Sequence, residues 1–145
     1  MTETPRAVVD RVTTGWLDDP ESDVVWTGDH EGRRGVRMRQ TVRDFTTVWF
    51  AVGDRTVAIE AYVLPAPRFR KDEVYRQALT RNFGNRRIYF ALDRLGDLVL
   101  VGRIPVDELT VEELELALGE VYELVEVSFR GLVAAGFARE KETPG

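Results

Sequence analysis

Arginine, rather than histidine or cysteine, is the residue through which this chain is equipped to act on other molecules. Residues 33–43 hold five arginines (Arg33, Arg34, Arg37, Arg39 and Arg43) and no acid. Guanidinium groups grip carboxylates and phosphates through paired, planar hydrogen bonds, so the run suits a carboxylate- or phosphate-bearing ligand. The competing reading is a solvated strand face, or an edge strand blunted by charge against aggregation. The need of sheet edges for such protection favours that second reading.

Glu60 and Tyr62 form another candidate, with Trp49 on the neighbouring strand as a third member. A carboxylate among aromatic rings has a raised pKa and marks a pocket. With arginine so abundant, an ordinary ion pair is the favoured reading of Glu60. A further group is acidic: residues 107–126 carry eight acids and no base. A helix face of Glu112, Glu115, Glu120, Glu123 and Glu126 reads as solvated. Leu116 and Val127 interrupt it and point away from the core stripe, which makes them candidate oligomer or partner contacts.

Other chemistries find little to work with. His30 is the one histidine; as a general base it would need a nucleophile and an orienting acid nearby, and in its polar stretch, Gly28 to Gly32, it reads as an exposed loop residue. There is no cysteine, which excludes thiol catalysis, disulfides and cysteine-ligated metals. The remaining carboxylates lack the spacing of a calcium loop. The glycines at 28, 32 and 35 fit neither glycine-rich phosphate-binding fingerprint. No metal, cofactor or catalytic residue is expected. The net charge of −5 argues against nucleic acid, as does the absence of stacking aromatics clearly interleaved with the arginines.

The elements that must position these residues are legible from periodicity. Thr4 and Pro5 open a helix whose Val9, Val12 and Trp16 share a face, and Asp18-Asp19-Pro20 closes it. Four strands follow: residues 24–27, the alternating stretch around Val36 and Met38, Phe45–Val52 and Thr56–Leu64. In the last of these Val57, Ile59, Ala61 and Val63 face one way, and Ala58, Glu60, Tyr62 and Leu64 the other. A second helix spans about Lys71 to Phe83, with Val74, Ala78 and Leu79 as its apolar side. A hairpin of residues 88–92 and 98–102 is apolar on both arms, so both of its faces are expected to be covered, by helices on one side and by a partner on the other. Thr110 and Glu113 make a capping-box signature. Val111, Leu114, Leu118, Val121, Val125, Phe129 and Leu132 continue as the core stripe of a long last helix ending near Gly136. The order is α-ββββ-α-ββ-α. The fold class is α+β, an antiparallel sheet of about six strands with helices packed mainly on one face. One domain is expected over 1–145, with a core of about 5–137 and a flexible tail at 138–145. No leader or membrane span is visible, which points to the cytoplasm.

Three strings carry a family resemblance. They are Thr47-Val48-Trp49-Phe50-Ala51-Val52-Gly53-Asp54-Arg55-Thr56, then Tyr75-Arg76-Gln77-Ala78-Leu79-Thr80-Arg81-Asn82, then Phe90-Ala91-Leu92-Asp93 with Gly96-Asp97 and Val101-Gly102-Arg103. With the element order, they resemble the YbjN-domain family, in its actinobacterial single-domain form, over roughly residues 5–137. The resemblance implies a type III secretion chaperone-like fold and a non-enzymatic binding or regulatory role. It also implies a protein or peptide partner and a homodimer. The alternative is a sensor or enzyme accessory that takes a small anionic ligand on the Arg33–Arg43 cluster.

Overall fold

The computed structural model describes residues 3–139. The tail expected at 138–145 lies, from residue 140 onward, outside the described residues. Helix α1 (Pro5–Asp18) is followed by strands β1 (Val24–His30), β2 (Arg33–Arg39), β3 (Phe45–Val52) and β4 (Thr56–Leu64). Then come α2 (Lys71–Asn82), β5 (Ile88–Leu92), β6 (Leu98–Pro105), a 3-10 turn (Val106–Glu108) and α3 (Val111–Phe137). The six strands make one antiparallel sheet in the order β1-β2-β3-β4-β6-β5. β6 is therefore slotted between β4 and β5, and β1 and β5 are the two edges.

The ends of the helices are set locally. Thr4 Oγ1 accepts from the Ala7 amide, and Thr110 Oγ1 from the Glu113 amide, each satisfying one of the orphan donors of a first turn. α3 spans 27 residues, about 40 Å at 1.5 Å per residue. Its C-terminal carbonyls are covered by the loop before α2: the Arg68 and Phe69 amides both donate to Gly136 O at 2.9 Å, and Arg70 Nε donates to Ala135 O at 2.8 Å.

The helices bury one face of the sheet. Val36, Val48, Phe50, Val57, Ile59 and Leu100 meet Val9, Leu114, Val121 and Leu132 in a closed core. Each fully buried Leu or Phe stabilises by roughly 2 kcal/mol. Among the described residues, no helix lies on the opposite face.

Three sequence expectations are corrected. Leu64 joins the core instead of the Glu60/Tyr62 face, because a bulge between Tyr62 and Leu64 shifts the register by one and so reverses the side-chain direction. Leu79 is 66% exposed, and α2 buries only Val74 and Ala78. Val111 is exposed at the start of α3. On the side of the β5–β6 hairpin away from the helices, Val99 is buried and Tyr89 is exposed.

Candidate functional site

The bare face of the sheet is where the chemistry-bearing residues gather, and a glycine pair determines how. Glu31 and Gly32 both have positive φ, 52° and 78°, which is the geometry of a two-residue hairpin turn whose twist matches the strands. β1 therefore runs on to His30, and residues 28–32 are not the turn the sequence suggests. His30 is a strand residue, exposed but not in a loop. The register then follows: His30 faces Arg33, Gly28 faces Gly35 and Trp26 faces Arg37.

Gly28 and Gly35 leave a flat strip of backbone. The Trp26 indole lies over both, and Trp49 leans in from β3. A Cβ at Gly35 would stand 2.6 Å from Trp49 Cζ3 and 2.9 Å from Trp26 Cζ3, and one at Gly28 would stand 2.6 Å from Trp26 Cζ2. The two indoles meet edge to face, 6.4 Å apart, a favourable arrangement of their quadrupoles. Each is then covered by a guanidinium: Arg33 sits 4.8 Å over Trp49, and Arg37 5.3 Å over Trp26. His30 completes the group, 6.0 Å from Trp49.

The predicted residues Arg37, Arg39, Trp49, Glu60 and Tyr62 all lie on this face, brought together by strand alternation and register. Trp49 is directly opposite Glu60. Glu60 is paired with Arg33 at 3.6 Å, the ion pair the sequence favours. Arg37 Nε donates to Thr47 Oγ1 at 3.3 Å and, among the described residues, has no carboxylate partner. Its planar donors are backed by an indole and open to solvent. Partial burial raises the Tyr62 phenol above its ordinary value; the nearby Asp97 and Asp93 carboxylates add to this, and Arg43 opposes it. Leu116 and Val127 are exposed on α3, in the helical layer and away from this face. A groove shared by Trp49, Tyr62 and α2 does not form, since α2 packs on the other side.

The five clustered arginines do not converge. β2 is an interior strand, so they do not blunt an edge either. Arg34 turns to the helical side, where Nε donates to Thr13 Oγ1 at 3.0 Å and Nη2 to Thr14 Oγ1 at 3.1 Å. Arg43 is a cross-link: Nη1 donates to Val63 O at 2.6 Å and Nη2 to Tyr62 O at 2.8 Å, the carbonyls beside the β4 bulge. Burial pushes the Arg43 guanidinium below its ordinary value. Only Arg33, Arg37 and Arg39 remain on the bare face. Aromatics are in fact interleaved with two of these, contrary to the sequence reading. The Trp26 ring is already packed between glycine backbone and Arg37, so it offers no free face for a base.

The acids of α3 also depart from expectation. Glu120 Oε1 accepts from the amides of Arg86, Arg87 and Ile88 at 3.0–3.1 Å. Glu113 forms a two-pronged pair with Arg87, with both contacts at 3.0 Å. Glu126 accepts from the Gln40 side chain and the Thr41 amide, at 2.9 and 3.2 Å, and from the Thr41 hydroxyl. Burial works against the Glu126 carboxylate, but these donors outweigh it and hold its pKa below the ordinary value. Two members of the expected solvated face, Glu120 and Glu126, are therefore pins between α3 and the loops, as is Glu113 beside them, while Glu112, Glu115 and Glu123 are exposed as expected.

The sheet's two edges differ as well. On β5, Asn82 grips the middle of the strand: the Phe90 amide donates to its Oδ1 at 2.7 Å, and its Nδ2 donates to Phe90 O at 3.0 Å. With Glu120 on the Ile88 amide, β5 is capped by side chains. On β1, the hairpin register turns the backbone groups of residues 26, 28 and 30 inward. Those of Thr27 and Asp29 point outward and have no partner among the described residues.

The chain matches the YbjN family, described as "Putative bacterial sensory transduction regulator", over residues 10–133. It belongs to the YbjN family. This YbjN chain is 37% identical over 90 residues to an uncharacterized protein of Mycobacterium tuberculosis (strain H37Rv), covering 60% of this chain and 48% of that protein. It is 36% identical over 95 residues to an uncharacterized protein of Mycobacterium leprae, covering 63% and 50%. The chain thus spans about half the length of the curated relatives it matches. No helix among the described residues is long and apolar enough to cross a membrane, and no cluster of three or more metal-ligating side chains occurs among them.

Residues missed in the sequence are Trp26, Gly28 and Gly35. Their signal was the Glu31-Gly32 pair: taken as a two-residue turn, it sets Trp26 against Arg37 and Gly28 against Gly35.

Proposed function

We propose that this YbjN chain is a non-enzymatic, chaperone-like regulatory domain of the bacterial cytoplasm that recognises an extended, acidic protein segment. The segment adds to the bare β1 edge through the outward groups of Thr27 and Asp29, and its acidic side chains reach Arg37 and Arg39. One observation carries the reading: an indole-backed guanidinium next to a sheet edge whose Thr27 and Asp29 backbone groups have no side-chain partner among the described residues. The family description, a sensory transduction regulator, supports a role exercised through partners. The domain works as a homodimer, for which Leu116 and Val127 are candidate contacts.

The test uses fluorescein-labelled peptides that alternate Glu and Val, with Lys-Val peptides as the control, read by anisotropy. Glu-Val peptides bind, and binding weakens at least tenfold in Arg37→Glu/Arg39→Glu and in Thr27→Pro, which deletes an outward amide. Equal binding of both peptide types, or unaltered binding by both variants, overturns the proposal. Sedimentation of wild type and Leu116→Asp/Val127→Asp reads the dimer.

A further inference from the structure

A cleft on the other side of the molecule has a different composition. It lies between α2 and α3 and the loop that follows α2, with a volume of about 740 Å³, within the range of small-molecule sites. Arg76 and Arg81 line it from α2, Glu123 from α3, and Leu124 and Val127 form an apolar floor. Arg81 Nη2 donates to Val127 O at 3.1 Å, which holds that guanidinium against the floor and leaves its other donors free. Arg76 and Glu123 form no ion pair among the described residues.

We infer that the α2–α3 cleft binds a free α-amino acid with an apolar side chain. The carboxylate takes the donors of Arg76 and Arg81. The ammonium faces Glu123, and the side chain rests on Leu124 and Val127. A simple anion meets Glu123 as a like charge, and a simple cation meets two guanidiniums. A zwitterion satisfies both signs. The site is separate from the β1 edge and does not depend on the segment-binding reading.

Thermal shift and calorimetry with the twenty amino acids, using leucine, N-acetylleucine and leucinamide as the probing set, test the site. Leucine raises the Tm saturably, and both blocked forms bind at least tenfold more weakly. Arg76→Ala and Glu123→Gln, both at exposed positions, lose the shift while retaining the unliganded Tm, and Arg37→Glu keeps it. The inference is overturned if no amino acid shifts the Tm at up to about 10 mM, well above a weak Kd of about 1 mM. It is equally overturned if N-acetylleucine and leucinamide bind as leucine does, or if neither cleft variant changes the response.

Discussion

The two edges of the sheet face the same physical problem and solve it differently. Any edge strand presents unpaired amides and carbonyls that invite another strand. At β5, Asn82 imitates a neighbouring strand by accepting from and donating to Phe90, and Glu120 gathers the amides of residues 86–88. At β1 no such device reaches Thr27 or Asp29 among the described residues; Ser22 Oγ accepts only from the Val24 amide at the start of the strand, at 3.1 Å. Instead a bulge between Val24 and Trp26 twists the edge, and Trp26 and His30 stand exposed along it. Side chains from the helical layer are spent on closing one edge, while the other keeps its donors and acceptors next to guanidiniums. The contrast separates a structural edge from one fitted to receive a chain.

The largest expected effect removes the pin that closes the β5 side. Glu120→Ala leaves three amides without their acceptor and lowers the unfolding free energy by about 3 kcal/mol, read by urea denaturation. Amide exchange at residues 86–88 accelerates with it. A change below about 0.5 kcal/mol, the size of an ordinary surface substitution, means Glu120 is not a pin. Asn82→Ala follows at about 2 kcal/mol and tests the contrast directly. It bares Phe90, so β5 comes to resemble β1 and light scattering detects new, concentration-dependent association. Unchanged scattering at equal concentration breaks the comparison.

On the β1 side, Gly35→Val pushes both indoles off their glycine bed at a cost of about 1–2 kcal/mol. Tryptophan emission shifts to the red and the guanidinium stacking is lost. Emission identical to wild type contradicts the packed arrangement. The smallest effect comes from acid. Glu126 has a folded pKa below its unfolded value, so its contribution is present above the ordinary carboxylate pKa of about 4.3 and fades as pH falls through the lower, folded value. Solvent screening of this partly exposed group keeps the effect at about 1 kcal/mol or less. Glu126→Gln flattens the loss of stability below about pH 4.3; an unchanged acid limb removes Glu126 as the source.

Most of the fold was legible because its causes are local. Period-two alternation placed Val36 and Met38 inward, period 3.6 placed Val9, Val12 and Trp16 together, and Thr110 with Glu113 marked the start of the last helix. The family strings pointed to the YbjN family. The errors were of two kinds. Leu64 went wrong because one bulge residue inverts every facing beyond it. Glu120 and Glu126 depart from the solvated face because their partners are distant in sequence: 32–34 residues from Glu120 and 84–86 from Glu126.

By itself, the sequence determined the element order, the facing of β2, of β3 and of β4 up to its bulge, the N-caps of the first and last helices and the lack of thiols and of more than one histidine. It placed Arg37, Arg39, Trp49, Glu60 and Tyr62 on outward positions, since alternation is a property of the chain. Only the tertiary structure decided that β6 lies between β4 and β5, that Arg43 is a cross-link and Arg37 is free, and which sheet edge stays open. Those outcomes depend on which strand lies beside which and on which distant side chain reaches a given carbonyl or amide. Pairing of this kind is settled by the packing of the whole core, and no local spacing records it.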